Sequence, residues 1–357
     1  MQTGPTGKGT LMEKVRLGKS DLLVTQIGFG SIPIQRLNDD DAIDVVKRCL
    51  EHGINYIDTA NAYSTSERRI GEALRGWEGE VIISTKSQSR DPEGIRKHLD
   101  QSLQMLRVSS IDLYQFHNVS TFDDLESVLS ADGPFPTVEE AMRKGEVKHV
   151  GITSHQIDVA KEAVKTGRFE TVMYPLNFVA HEPGEELLRL AADHDVGFIA
   201  MKPFAGGMIA SAPLAMKYLL QYPSVVAIPG VESIAELDEI MEIARGDTQL
   251  TAADNAEMER VRKELGNRFC RRCDYCQPCT AEIPISTVMA YPTMVRRMPR
   301  KNVVSGWIAA AMEKVSGCTD CGLCEERCPY GLPIREMMSE NLTNYQRLKA
   351  EFEAAAS

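Results

Sequence analysis

The sequence predicts an α/β chain, a closed (β/α)8 barrel followed by a small, mainly helical module. Three observations predict it. Between about residues 26 and 231, eight short β-branched runs alternate with amphipathic stretches of helical period, the pattern of βα units around a parallel sheet. The first run, QIGFGS, does not continue into the G-x-G-x-x-G turn that an open doubly wound sheet with a dinucleotide site carries, and this favours closure into a TIM barrel. After Gly266 the composition changes to sequence rich in Cys, Pro and Arg, which marks a second unit.

Taken in order, residues 1–11 read as a flexible Gly/Thr-rich leader with Met12 as a natural start, the barrel spans 12–265, and the second unit spans 266–357. The segment KVRLGKSDLLVTQ has two alternating runs joined by a Gly-containing turn, which predicts a hairpin closing the bottom of the barrel. The eight strands follow in QIGFGS, NYIDTA, EVIISTK, SIDLYQFH, VKHVGITS, ETVMYPLN, VGFIAMKP and VVAIPGV. Between them lie helical patterns such as DAIDVVKRCLEHG, GIRKHLDQSLQML, QIDVAKEAVKTG and GEELLRLAADHD. NVSTFDDLESVLSADGPFPTVEEA, after the fourth strand, is placed where it would line a pocket.

Composition narrows the function. With 43% hydrophobic and 25% charged residues the chain is an ordinary globular protein, and a net charge of -11 argues against nucleic acid as a partner. No apolar run approaches the roughly 20 residues of a membrane span, and the first residues lack the apolar stretch of a signal peptide, so the expected location is the cytoplasm.

In such a barrel the chemistry belongs where strands end and βα loops begin. Asp58 and Tyr63 lie at and just after the second strand, Lys86 ends the third and His117 ends the fourth. Reducing a carbonyl requires a hydride donor on one side and a proton donor to the developing alkoxide on the other. A tyrosine, with an ordinary pKa near 10, needs a nearby cation to favour its phenolate. Lys86 supplies that charge, Asp58 holds Lys86 charged and oriented, and His117 hydrogen-bonds the carbonyl oxygen. Any one of these residues alone reads equally well as structural; their common end of three consecutive strands joins them.

With these stretches in view, IGFGS, NYIDTANAY followed by SERRIGEAL, STK, IDLYQFH, VGITS and AIPG, the chain resembles the aldo-keto reductase family over roughly residues 14–245. The resemblance implies an Asp58, Tyr63, Lys86 and His117 tetrad and reversible hydride transfer between NAD(P)H and a small carbonyl or alcohol, with Tyr63 as proton donor. It also implies nicotinamide contacts. Thr153 and Ser154 stand where the family often has Ser-Asn for the carboxamide. Met173 and Met201 replace its glutamine and its stacking aromatic. At the phosphate end, IPGVESIAELDEI keeps Gly230 and Ser233 but has no arginine for a 2′-phosphate, and Ile240 replaces an asparagine. Glu232 would repel that phosphate and accept from a ribose hydroxyl, tilting preference towards NADH, unless it is only a solvated residue at a helix start and Lys202 serves the phosphate.

Of nine cysteines, Cys49 sits alone on a helical pattern and reads as a buried apolar thiol. The other eight form two runs: Cys270, Cys273, Cys276 and Cys279 in CRRCDYCQPC, and Cys318, Cys321, Cys324 and Cys328 in CTDCGLCEERCP. In a chain without an export signal such runs point to metal. The second is the C-x2-C-x2-C-x3-C-P pattern of bacterial ferredoxins, in which the fourth cysteine ligates the other cluster. This predicts two 4Fe–4S clusters, one on Cys318, Cys321, Cys324 and Cys279, the other on Cys270, Cys273, Cys276 and Cys328. The first run departs from the pattern, with two residues before its last cysteine and Thr280 in place of proline; structural zinc is the competing reading. NVVSGWIAAAMEKV and LPIREMMSENLTNYQRLKAEF look helical, which predicts a mainly helical, ferredoxin-like iron–sulfur domain. Arg296, Arg297, Arg300 and Lys301 form a basic stretch that either docks an acidic redox partner protein or is a solvated loop.

The chain thus resembles aldo-keto reductases that carry a ferredoxin-like extension. The alternative is a barrel that serves as an electron-transfer or redox-sensing module with little nicotinamide turnover, since a hydride moves two electrons and each cluster moves one.

Overall fold

The computed structural model describes residues 13–266 and 268–356, so the leader expected at residues 1–11, and Met12, lie outside the described residues. Among the described residues ten strands form: β1 (Lys14–Arg16), β2 (Leu23–Thr25), β3 (Phe29–Gly30), β4 (Tyr56–Asp58), β5 (Ile82–Ser87), β6 (Ile111–Phe116), β7 (Val147–Thr153), β8 (Thr171–Pro175), β9 (Gly197–Met201) and β10 (Val225–Ala227). Strands β3 to β10 make one parallel sheet in sequence order, and bridges from Ile27 to Ala227 and from Gly30 to Gly230 join its first and last strands, closing the barrel. All eight expected barrel strands are present. The first, with two residues in the ladder, is shorter than its sequence pattern because it pairs with β10 only through isolated bridges.

The outer ring is α1 (Asp39–Glu51), α2 (Ser66–Ala73), α3 (Pro92–Leu106), α4 (Phe122–Leu129), α5 (Phe135–Arg143), α6 (Ile157–Lys165), α7 (Glu182–Asp193), α8 (Ala212–Leu220) and α9 (Ile234–Arg245). Their starts follow local chemistry. Asn38 and Asp91 accept from the backbone N–H three residues on at the heads of α1 and α3, and Pro92 opens α3. Cys49 is fully buried on α1 among the aliphatic residues between sheet and helices, and burial pushes its thiol pKa up.

Alternation along the strands divides each one between two environments. Ile57, Ile83, Tyr114 and Phe116 face the helices, whereas Tyr56, Ile82 and Leu113 join Met173, Ile199 and Val226 inside the barrel. The β1–β2 hairpin covers the lower end of that interior with Val15, Leu17 and Val24, as its sequence pattern predicts. Asn55, just before β4, grips the hairpin by accepting from the Thr25 N–H (2.7 Å) and donating to the Leu23 carbonyl (3.0 Å). At its turn Gly18 has φ +57°, and a Cβ there would lie 2.1 Å from the Gly197 nitrogen, so both the backbone conformation and the close approach require glycine.

After β10 and α9, α10 (Ala252–Gly266) leads to α11 (Ile285–Met289), α12 (Tyr291–Arg297), α13 (Arg300–Val303), α14 (Gly306–Glu313), α15 (Leu323–Glu326) and α16 (Ile334–Ala356). These helices carry their own core of Ile285, Val288, Ile308, Met312, Ile334 and Tyr345. The helix expected over NVVSGWIAAAMEKV is instead two, α13 and α14, because the chain turns at Ser305 into Gly306 with φ +65°. Among the described residues no helix is long and apolar enough to cross a membrane.

Candidate active site

The inward register that puts apolar side chains at the bottom of the barrel puts polar ones higher up. On β4 it runs Tyr56 then Asp58, on β5 Ile82, Ser84 and Lys86, and on β6 Leu113, Gln115 and then His117, the residue after the strand. Pairing aligns Asp58 with Ser84 and Lys86 with Gln115. The Lys86 ammonium donates to Asp58 Oδ2 and to the Thr59 carbonyl, each at 2.6 Å, with Lys86 1% and Asp58 3% exposed. The Asp58 Oδ1 accepts from Ser84 Oγ and Gln115 Nε2, both at 3.3 Å, and Gln115 Nε2 also donates to Ser84 Oγ at 2.7 Å. Burial pushes the Asp58 carboxyl pKa up, and Lys86 opposes it.

Tyr63 comes from the turn after β4, where its N–H donates to the Ala60 carbonyl at 2.9 Å. Its ring lies 5.3 Å from Lys86 Nζ and edge-on to His117, with ring centroids 5.8 Å apart. All four residues predicted for the tetrad therefore meet at one mouth of the barrel. Burial raises the Tyr63 pKa, and Lys86 opposes it by favouring the phenolate, with Arg297 adding to that effect. Burial, with Lys86 and Arg90, holds His117 well below the ordinary histidine range, so its imidazole is neutral. Arg90 donates to the His117 and Asn118 carbonyls, both at 3.0 Å, and fixes that loop.

The predicted nicotinamide contacts divide. Thr153 and Ser154 brace the His117 loop: Thr153 Oγ1 accepts from the Asn118 N–H (2.8 Å), and Ser154 Oγ donates to the Val119 carbonyl (2.7 Å). The next residue, His155, has its Nδ1 beside Asn118 Oδ1 (2.9 Å) and a buried, unpartnered Nε2 near Lys202 and His117. No spacing in the sequence pointed to it, nor to Arg90; Gln115 was legible, two residues before His117 on the same inward register. The segment after His117 forms α4 and α5, whose buried residues Leu125, Val128, Phe135 and Val138 join the core outside the sheet. Met173 is buried in the barrel interior, and Met201 packs against it.

Lys202, Gly230, Glu232 and Ile240 line one open groove of about 1010 Å³. Ser233 caps α9 by accepting from the Glu236 N–H at 3.2 Å. Glu232, expected to act as a free carboxylate or to be merely solvated, is ion-paired with Arg36 at 3.3 Å. The basic stretch is not one free patch either. Arg296 and Arg297 of α12 line the same groove, with Arg296, Arg300 and Lys301 exposed and Arg297 partly buried.

The eight clustered cysteines line two cavities. Cys279, Cys318, Cys321 and Cys324 border one; Cys270, Cys273 and Cys328 border another, and Cys276 borders both. A single zinc would draw four sulfurs to one point about 2.3 Å from each. Among the described residues no group of three or more Cys, His, Asp or Glu side chains is placed to hold a single metal ion, and the thiols instead surround two cavities, as the corners of iron–sulfur cubes would require.

Comparison with known proteins agrees with this architecture. Residues 26–213, more than half of the chain, match the aldo/keto reductase family, and residues 269–333 match a 4Fe-4S dicluster domain. The chain is 29% identical over 217 residues to the uncharacterized oxidoreductase YqkF of Bacillus subtilis, covering 57% of this chain and 68% of that protein. It is 26% identical over 220 residues to L-galactose dehydrogenase of Arabidopsis thaliana, covering 56% and 68%. The holo form of the aldo-keto reductase AKR11C1 from Bacillus halodurans superposes with a TM-score of 0.61 at 25% identity, over 70% of this chain and 96% of that one. An aldo-keto reductase from Klebsiella pneumoniae in complex with NADPH, 17% identical, shares the fold with a TM-score of 0.59 over 71% of this chain and 95% of its own. Matched over most of its barrel in sequence and in fold, the chain belongs to the aldo/keto reductase family and is an NAD(P)H-dependent oxidoreductase that carries an iron–sulfur domain.

Proposed function

We propose that this protein reduces a small carbonyl compound, or oxidises the corresponding alcohol, with Tyr63 as the proton donor. The observation that carries the reading is the buried Lys86–Asp58 pair at 2.6 Å beneath the Tyr63 ring, with His117 at its edge. When bound, NAD(P)H would supply the hydride for carbonyl reduction and NAD(P)+ would accept it in alcohol oxidation. Tyr63 keeps its proton at neutral pH and releases it to the substrate oxygen as negative charge develops there. Lys86 steadies the phenolate left behind, and Asp58, held by Ser84 and Gln115, keeps the ammonium in place. His117, neutral, orients the carbonyl oxygen without competing as an acid. The groove lined by Lys202, Gly230 and Glu232 and closed by the capped start of α9 suits a dinucleotide.

The same reading assigns a barrel over 12–265 and an iron–sulfur domain over 266–357. It gives the domain two 4Fe–4S clusters, one on Cys318, Cys321, Cys324 and Cys279 and one on Cys270, Cys273, Cys276 and Cys328, in support of which each quartet borders its own cavity. Such clusters, when bound, carry single electrons. Cys318 and Cys321 are exposed, which suits exchange with a redox partner protein, and the absence of a membrane-spanning helix among the described residues is compatible with a cytoplasmic site of action.

The test is NADH and NADPH oxidation against a panel of aldehydes and ketones, measured anaerobically for the unaltered protein and for Tyr63→Phe. Loss of the phenol is expected to cut turnover by about 10²- to 10⁴-fold, the usual contribution of a general acid, with dinucleotide binding and visible absorbance retained. Equal turnover by the variant would overturn the assignment and favour the electron-transfer alternative.

A further inference from the structure

We propose that the iron–sulfur domain is itself a wall of the dinucleotide site: Arg297 of α12, together with Lys202 of the barrel, holds the cofactor's pyrophosphate. The inference rests on the functional reading above, because it takes the groove to be the nicotinamide site.

The need for such a residue is visible in the barrel. Its phosphate-end segment, IPGVESIAELDEI, contains no arginine, and the acids it brings to the groove are Glu232, Glu236 and Glu239. Glu232 is paired with Arg36, and Glu236 accepts from the Glu232 N–H at 2.8 Å, so these groups do not supply an anion site. The positive charge arrives from the other domain. Helix α12 packs on the loop after β9 so closely that a Cβ at Gly206 would lie 2.4 Å from Thr293 Cγ2. The Arg296 guanidinium donates to the Gly207 carbonyl and touches the Met208 sulfur at 3.4 Å, and Arg36 donates to the Arg296 carbonyl. These contacts anchor the end of α12 on the barrel from both sides.

The residue next in line, Arg297, is thereby held at the groove, as is Lys202. Among the described residues neither Lys202 Nζ nor the Arg297 guanidinium has a hydrogen bond or an ion pair. Arg272 adds a third positive charge close by: burial, with Arg272 and Arg297, pushes the Lys202 pKa down against Cys270, and burial, with Arg272, pushes that of Arg297 down against Tyr63. Like charges gathered in a partly dry groove are costly unless an anion joins them. Arg297 lines the groove together with Lys202 and lies close enough to the Tyr63 phenol for its charge to act there. A dinucleotide whose nicotinamide lies at Tyr63 and whose far end reaches α9 carries its pyrophosphate between them. Two guanidinium N–H groups suit it.

A functional consequence follows. Because α12 belongs to the cysteine-bearing domain, the affinity for NAD(P)H depends on that domain being assembled.

The experiment is equilibrium binding of NADH and of NADPH to the full-length, cluster-loaded protein, followed by nucleotide fluorescence without substrate, for the unaltered chain, Arg297→Gln, Lys202→Gln and the solvent-facing control Arg300→Gln. Iron content and visible absorbance accompany each variant. Arg297→Gln and Lys202→Gln are expected to weaken both dinucleotides about 10- to 100-fold, the effect of losing one charge-assisted contact, while Arg300→Gln changes neither. If Arg297→Gln loses its clusters, Lys202→Gln, on the barrel, decides. Unchanged affinity in the cluster-loaded variants would overturn the inference and leave the functional reading standing. Weakening confined to NADPH would overturn the pyrophosphate assignment, and failure of the unaltered protein to bind either dinucleotide would overturn the functional reading together with it.

Discussion

Lys86 and Asp58 are both almost completely buried, and a buried ion pair seldom adds net stability, because desolvation of the two charges consumes most of their attraction. Its use here is positional, since it holds an ammonium against the Tyr63 ring. The pH dependence follows from the shifts around it. His117 is held well below its ordinary range and Tyr63 above 10, so neither titrates between pH 6 and 8. The rate of carbonyl reduction per bound substrate is expected to be flat over that window and to fall only above pH 10, where Tyr63 loses its proton; alcohol oxidation is expected to rise there. A rate profile with an inflection near pH 6.5 that disappears in His117→Ala would show instead that the imidazole titrates during turnover. The tetrad was legible because strand ends can be read from local pattern. His155 was not, because what turns it into the site is a hydrogen bond to Asn118 on a neighbouring loop.

At the scale of elements, the period-2 register does most of the positioning. One strand carries an apolar residue at the bottom and a reactive one at the top, as in Leu113, Gln115 and His117, and the β1–β2 hairpin seals the apolar end. Gly18 is the tightest point of that seal. Gly18→Val is expected to cost about 1–3 kcal/mol through left-handed strain and overpacking against Gly197, seen as a lower midpoint in chemical unfolding. An unchanged midpoint would mean that the hairpin is not held on the barrel as described. The break between α13 and α14 shows the converse. The helical period of NVVSGWIAAAMEKV carries through Ser305 and Gly306, and only the backbone turn at Gly306 divides it.

At the scale of the molecule, the two cysteine runs cross over. Cys328 closes the second run in sequence yet borders the cavity of the first, and Cys279 does the reverse. Cys328→Ser is accordingly expected to remove the cluster of Cys270, Cys273 and Cys276 and to lower iron from about eight to about four per chain, by colorimetric iron assay on anaerobically purified protein. Loss of no iron, or of all of it, would argue against two separate quartets.

The sequence by itself determined the barrel and brought forward the four candidate tetrad residues and the two cysteine runs, because strand alternation, helical period and short cysteine spacings act within a few residues of one another. Tertiary structure alone decided where distant elements meet. Arg297 lies 95 positions after Lys202 yet lines the same groove. Glu232 is neutralised by Arg36, and the hydroxyls of Thr153 and Ser154 brace a loop. Each of these depends on the packing of one whole element against another, which no local pattern records.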